Sequence, residues 1–349
     1  MSTKMTIIAY INSDCCNCHL NSIDESIKRT YDVNTFLTST SDRKISILHV
    51  PFPYDPLFEE TVNLTIAHSD HVIILCSELH LRTVDFINRF NHIKISYLIN
   101  GFINDTPARL WLDWFITTTY VYKNSQILDQ LNPYQVKEKY FDILLGQRRP
   151  HRDFIYSNIN KKQLTNNVIM TYLLDGSIPI PQQPIDNWLW EMPGLTIPVT
   201  NFNHTITTVN YYGYNISLSQ IVPIDIYNQT AYSIVAETNF DNHYTFFTEK
   251  IVKPILARRL FIVFSGQYYL RNLRRLGFIT FDNIIDESYD LIEEPVLRFE
   301  LAFAQIEYLM QQPQAQILKA IKPIVEHNRN LILNTNWYED FIREVKLLI

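Results

Sequence analysis

Short apolar runs recur along the chain at residues 6–11, 45–50, 71–76, 93–99, 141–145, 167–173, 232–236 and 260–264. Between many of them lie stretches whose apolar positions follow three- and four-residue spacing. Runs this short and this continuously apolar predict strands buried on both faces, and their alternation with helical patterns predicts βαβ units built on parallel sheets. Beyond residue 290 the period changes. Val296, Phe299, Phe303, Ile306 and Leu309 fall on one helical face, and helices are expected at 294–310, 314–333 and 337–349. The expected fold class is α/β.

A chain of 349 residues exceeds the usual size of one core, and its 46% hydrophobic and 13% aromatic residues suffice to fill two. The polar segment 126–140, with Asn132-Pro133 as a turn, is expected to link them, giving an N-terminal domain of residues 1–138 and a C-terminal domain of 139–349. Within the second, 178–223 is rich in Pro, Asn, Trp and Tyr without a clear period and reads as an insertion of short elements. Trp111, Trp114 and Phe115 have helical spacing, which suits a helix buried in a core, with stacking on an acceptor sugar as the alternative. Ligands of open α/β sheets collect at the carboxyl ends of strands, so Asp14, Asp55, Glu78 and Asn100 are the positions to follow in the first domain.

The second domain contains two passages suited to anions. In one, the run 141–145 leads through Gly146-Gln147-Arg148-Arg149-Pro150-His151-Arg152 into a helix expected from Asp153. Arginine's planar donors grip two phosphate oxygens at once, although a solvated basic loop also accounts for the composition. In the other, the run 232–236 delivers Glu237, a polar loop runs from Thr238 to Tyr244, and Thr248-Glu249-Lys250 opens an amphipathic helix ending at Arg258-Arg259. A helix start offers unpaired N–H groups and partial positive charge; Lys250 adds to the pull on a phosphate, and Glu249 suits the two hydroxyls of a ribose. A sugar nucleotide fits both halves of that description. The strand 260–264, the turn Ser265-Gly266-Gln267 and a helix stopped by Gly277 continue the alternation.

The ordered set of Glu237, Asn239, Tyr244, Thr248-Glu249-Lys250, the apolar strand with its Ser-Gly turn, and Phe281-Asp282 resembles the donor half of the α1,3-fucosyltransferases and related GT-B glycosyltransferases. The likeness covers about a third of the chain. In this sequence Thr238 separates Glu237 from Asn239, and the loop to Glu249 is longer than in that family. The resemblance implies two Rossmann-like domains facing a cleft and a nucleoside-diphosphate sugar, GDP-fucose-like, as donor. It also implies Glu249 on the ribose, Lys250 on the diphosphate, and a loop arginine, best matched by Arg152 and next by Arg149, on the diphosphate as well. Transfer to a glycan or other hydroxyl acceptor would invert the sugar, with a carboxylate of the N-terminal half as base. Glu78, directly after a strand, is the first choice and Asp14 the second; capping of the next helix is the other reading of Glu78.

The remaining features narrow the class. Only 7 glycines occur, with neither a GxGxxG nor a Walker A match, which argues against dinucleotide oxidoreductases and P-loop enzymes. No Asp-Xaa-Asp stands in the chain, so no metal is expected and arginine and lysine would serve in its place. Cys15, Cys16 and Cys18 bunch before His19 without a second ligand pair, so reduced thiols are favoured over structural zinc. A net charge of −6 argues against broad nucleic-acid binding. No apolar run approaches the ~20 residues of a membrane span and no signal peptide is visible, so a cytoplasmic protein is expected. A noncatalytic nucleotide- or glycan-binding protein and a DNA-base glucosyltransferase are the alternatives.

Overall fold

The computed structural model describes residues 6–12, 27–50, 55–104, 106, 108–172, 195–196 and 208–349. The chain divides into two compact units, one of Met1–Ile116 with Asn336–Ile349 and one of Thr117–Thr335.

The first unit is organised on a six-stranded sheet. Its strands are β1 (Ile7–Ile11), β2 (Ile27–Thr30), β3 (Arg43–His49), β4 (His71–Cys76), β5 (Ile95–Ile99) and β7 (Arg109–Leu110), in the order β2-β1-β3-β4-β5-β7. Every pairing in it is parallel. Central β4 shows why: five of its six residues are buried, which requires cover on both faces. Helices α1 (Val33–Thr38), α2 (Leu57–His68) and α3 (Leu81–Arg89) follow β2, β3 and β4, and a three-residue strand, β6 (Gly101–Ile103), follows β5.

The second unit has a parallel four-stranded sheet of β8 (Lys139–Leu145), β9 (Val168–Tyr172), β13 (Thr230–Ala236) and β15 (Phe261–Phe264), in the order β15-β13-β8-β9. All of β13 and β15 is buried. A small antiparallel sheet of β10 (Leu195–Thr196), β11 (Thr208–Tyr211) and β12 (Tyr214–Ser217) lies in the predicted insertion, most of the rest of which is outside the described residues. Tyr212 and Gly213 both have positive φ, 48° and 86°, as a two-residue turn between twisted strands demands. The helices in and leading into this unit are α4 (Asp113–Lys123), α5 (Pro150–Lys161), α6 (Ile224–Gln229), α7 (Glu249–Leu256), α8 (Tyr269–Arg275), α9 (Pro295–Gln311) and α10 (Gln314–Asn334), and β14 (Tyr244–Phe246) precedes α7.

The units divide at 116/117, earlier than the expected 138/139. The segment 126–140 reads as a polar link in sequence, yet the chain from residue 117 onward is tied into the second unit. Tyr122 Oη donates to Gln220 O at 3.0 Å and accepts from Val222 N at 2.7 Å, and Asn132 N donates to Asn228 Oδ1 at 2.9 Å. At the other end α11 (Trp337–Leu348) leaves the second unit and adds Phe341, Ile342 and Val345 to the first unit's core of Ile11, Ile47, Leu75, Leu98 and Trp111. Trp111 stacks on Phe341 with centroids 5.3 Å apart and is buried in the core as expected, although it precedes the helix its spacing suggested, which begins at Asp113. Among the described residues no helix is long and apolar enough to cross a membrane.

Candidate functional site

In the second unit the chain goes from β8 to β9 on one side and comes back to β13 on the other, so the strand order reverses between β8 and β13. A crevice outside the carboxyl ends of two such strands is where open α/β sheets take ligands. Both anion-suited passages issue from this point, the arginine loop from β8 and Glu237 from β13.

The arginine loop enters its helix sooner than expected. α5 begins at Pro150, not Asp153, because proline is at no disadvantage at the first helical position, where the N–H it lacks has no partner. His151 and Arg152 therefore sit in the first turn, and both turn inward. His151 Nε2 lies 2.7 Å from Glu237 O, while Arg152 donates from Nη1 to Gln147 O at 2.7 Å and from Nη2 to Glu237 O at 3.1 Å. Arg152 is 4% exposed, so its guanidinium closes the ends of β8 and β13. Arg149, at the N-cap, stays half-buried, and its charge acts on His151 and Tyr244. Arg148 pairs with Asp153 at 3.0 Å.

Glu237 is the point on which both helix starts converge. Its carbonyl receives α5 through His151 and Arg152. Its buried carboxylate takes the Tyr269 hydroxyl on Oε1 at 2.6 Å and the Thr248 hydroxyl on Oε2 at 2.6 Å. Thr248 is in turn the N-cap of α7, its Oγ1 accepting from Lys250 N at 3.2 Å. Burial pushes the Glu237 carboxyl above the usual range, against the pull of Lys250 and the two hydroxyls. So Glu237 is a scaffold acid, with both oxygens engaged.

Glu249 and Lys250 open α7 as the sequence predicts. Lys250 Nζ reaches Glu249 Oε1 at 2.7 Å and the Thr238 hydroxyl at 3.3 Å, with its side chain 23% exposed. Burial raises the Glu249 carboxyl, but Lys250 and Lys253 outweigh it and hold the group below the usual carboxylate range. An ionised carboxylate and an ammonium group thus stand beside the α7 N-terminus.

The intervening loop is fixed by close packing. A Cβ on Gly266 would lie 2.1 Å from Asp241 O, so only glycine lets the turn after β15 approach so near. Ser265 Oγ donates to Asn239 O at 3.3 Å, and Arg298 donates to Ser265 O at 2.9 Å and Phe240 O at 3.2 Å. Tyr244 is buried, its hydroxyl 3.3 Å from Asp241 Oδ2, and burial pushes its phenol up. Phe281 packs against Phe261 with centroids 5.0 Å apart, and Asp282 is exposed. A cavity of about 30 Å³ between β13 and α7, lined by Asp142, Ser233, Lys250 and Lys253 among others, has room for water but not a nucleotide.

Three contributors escape a sequence reading. His151 carried a local signal, Pro150 beside it. Tyr269 and Arg298 carried none, because the groups they hold lie 32 and 33 residues away along the chain. Arg259 also departs from expectation: α7 ends at Leu256, and Arg259 turns into the core to pair with Asp142 at 2.8 Å.

Of the positions followed in the first unit, Asp14 lies outside the described residues, as do Cys15, Cys16, Cys18 and His19. Asp55 accepts from Leu57 N at 2.9 Å. Glu78 is half-buried, two residues after β4, and the N-cap of α3 is His80. Asn100 is fully buried after β5. No protein-family model matches the chain, and no curated protein is significantly similar to it.

Proposed function

We propose that the unit Thr117–Thr335 binds a nucleoside-diphosphate sugar and that the protein transfers the sugar, with inversion, to a hydroxyl of a glycan or other acceptor. The observation that carries this reading is the convergence of α5 and α7 on Glu237 at the strand-order reversal, with Arg149 and Lys250 beside their first turns. First-turn N–H groups and two cations are the chemistry that holds a diphosphate and stabilises it as it departs, without a divalent metal. Glu249 offers an ionised acceptor for ribose hydroxyls one residue away from Lys250. The GT-B arrangement and the assignment of Glu78, then Asp14, as the base taking the acceptor's proton belong to the same proposal.

Calorimetric titration with GDP, UDP, ADP and CMP is the direct test. One of the diphosphates is expected to bind well ahead of CMP, and the matching nucleotide sugar to be turned over in excess EDTA. Absence of binding by every diphosphate sinks the reading; binding without turnover of any nucleotide sugar reduces it to a noncatalytic nucleotide-binding protein.

A further inference from the structure

The first unit has a strand-order reversal of its own, between β1 and β3. Four polar residues stand at the carboxyl ends of four neighbouring strands there: Asn12 after β1, His49 at the end of β3, Ser77 after β4 and Asn100 after β5. Asn12 grips the main chain of His49 from both sides, donating from Nδ2 to His49 O at 3.1 Å and accepting His49 N on Oδ1 at 2.7 Å. The Trp111 ring stands edge-on to the imidazole, centroids 6.0 Å apart at 77°. So fixed, His49 Nε2 lies 2.9 Å from Ser77 Oγ. Asn100, fully buried, donates from Nδ2 to Ser77 O at 3.3 Å and its N–H reaches Cys76 O at 3.1 Å, which anchors the residue carrying the hydroxyl. Ser77 and His49 both remain partly exposed.

A serine hydroxyl within hydrogen-bond reach of an imidazole, on a residue whose main chain is anchored and whose ring packs against Trp111, has the arrangement of a nucleophile and its base. We propose that Ser77 and His49 form such a pair and take acyl groups from carboxylic esters. Ser77 Oγ attacks the ester carbonyl carbon while its proton passes to His49 Nε2. The carbon–oxygen bond to the alcohol then breaks, and the alcohol leaves with that proton. Water attacks the acyl-serine, gives a proton to His49, and releases the carboxylic acid as the proton returns to Ser77; the sum is ester plus water to acid plus alcohol. Burial lowers the His49 pKa, so the imidazole is neutral at pH 7 and able to accept. Helix α3 begins at Leu81, four residues past Ser77, and the His80 side chain at its N-cap makes no cap hydrogen bond. A reactive serine in this loop is independent of nucleotide binding in the other unit.

The test is labelling of the full chain with a fluorophosphonate probe, read by peptide mass spectrometry, alongside hydrolysis of p-nitrophenyl acetate. A covalent adduct on Ser77 is expected, absent from Ser77→Ala and formed roughly 10²-fold more slowly in His49→Gln, the usual scale for loss of a general base. Lys250→Ala should label Ser77 as the parent does, whatever becomes of nucleotide binding. Melting curves establish that each variant is folded. An unlabelled Ser77 in the folded parent overturns the proposal, as does equal labelling of His49→Gln; should that variant fail to fold, the parent's labelling alone decides.

Discussion

Thr248 Oγ1 lies 2.6 Å from Glu237 Oε2, and the same oxygen accepts from Lys250 N at 3.2 Å. One hydroxyl therefore joins the end of β13 to the first turn of α7, and the acid it satisfies also receives α5 through its carbonyl. The two helix starts are aligned by one residue's backbone and side chain.

Replacing Thr248 tests that linkage. Thr248→Val keeps the shape but removes an N-cap and one of the hydroxyls on a buried carboxylate, so unfolding free energy should fall by about 2–3 kcal/mol. Thr248→Ser keeps both bonds and should stay within about 1 kcal/mol of the parent. Urea titrations at pH 7 measure both, and a Val variant as stable as the parent would mean the hydroxyl bridge carries no weight.

The two loop arginines should separate cleanly. Arg152 gives its donors to Gln147 O and Glu237 O while buried, so Arg152→Ala takes the guanidinium from Gln147 O and leaves Glu237 O to His151 alone, and should cost about 2–4 kcal/mol of stability. Arg149 is half-buried at the head of α5, and Arg149→Ala should change stability by no more than about 0.5 kcal/mol while weakening diphosphate binding about 10-fold. Calorimetry and urea unfolding on both variants decide it; the reverse pattern would move the phosphate contact back to Arg152.

The contrast between these arginines shows where sequence reasoning stopped. Apolar runs located the four strands of the second sheet, because strands buried on both faces have few other compositions, and Thr248-Glu249-Lys250 located the start of α7 because a cap is a local signal. What a loop charge does is decided by the other elements that fold against it. Nothing near Arg152 announces that carbonyls 84 and 85 residues away will claim its guanidinium. Strand β2, with the polar composition Ile-Lys-Arg-Thr, was invisible for the complementary reason: at a sheet edge, only its first and last residues are buried.

Glu249 offers a test confined to the ribose. Glu249→Gln keeps an oxygen for Lys250 Nζ but removes the charge that the two ribose hydroxyls would meet, so affinity for the preferred ribonucleoside diphosphate should fall about 10-fold. The 2′,3′-dideoxy analogue lacks those hydroxyls and should bind parent and variant equally. A loss of the same size for both nucleotides would place Glu249 on some other part of the ligand.

His151 should make the protein sensitive to mild acid. Its Nε2 is held at Glu237 O, and burial, with Arg152 beside it, brings its pKa from 6.5 down to about 3. Below pH 6.5 the unfolded chain therefore takes up a proton at this position that the folded chain refuses. With more protons bound to the unfolded state, stability rises with pH through this window and is lost as pH falls, by up to about 1.4 kcal/mol per pH unit. His151→Gln keeps a donor for Glu237 O and has nothing to titrate. The unfolding free energy of the parent relative to the variant should therefore fall by about 1.6 kcal/mol from pH 6.5 to pH 5, because other titrating groups contribute equally to both. Urea unfolding at half-unit steps would read it, and a difference independent of pH would show that the folded protein protonates His151 as easily as the unfolded chain does.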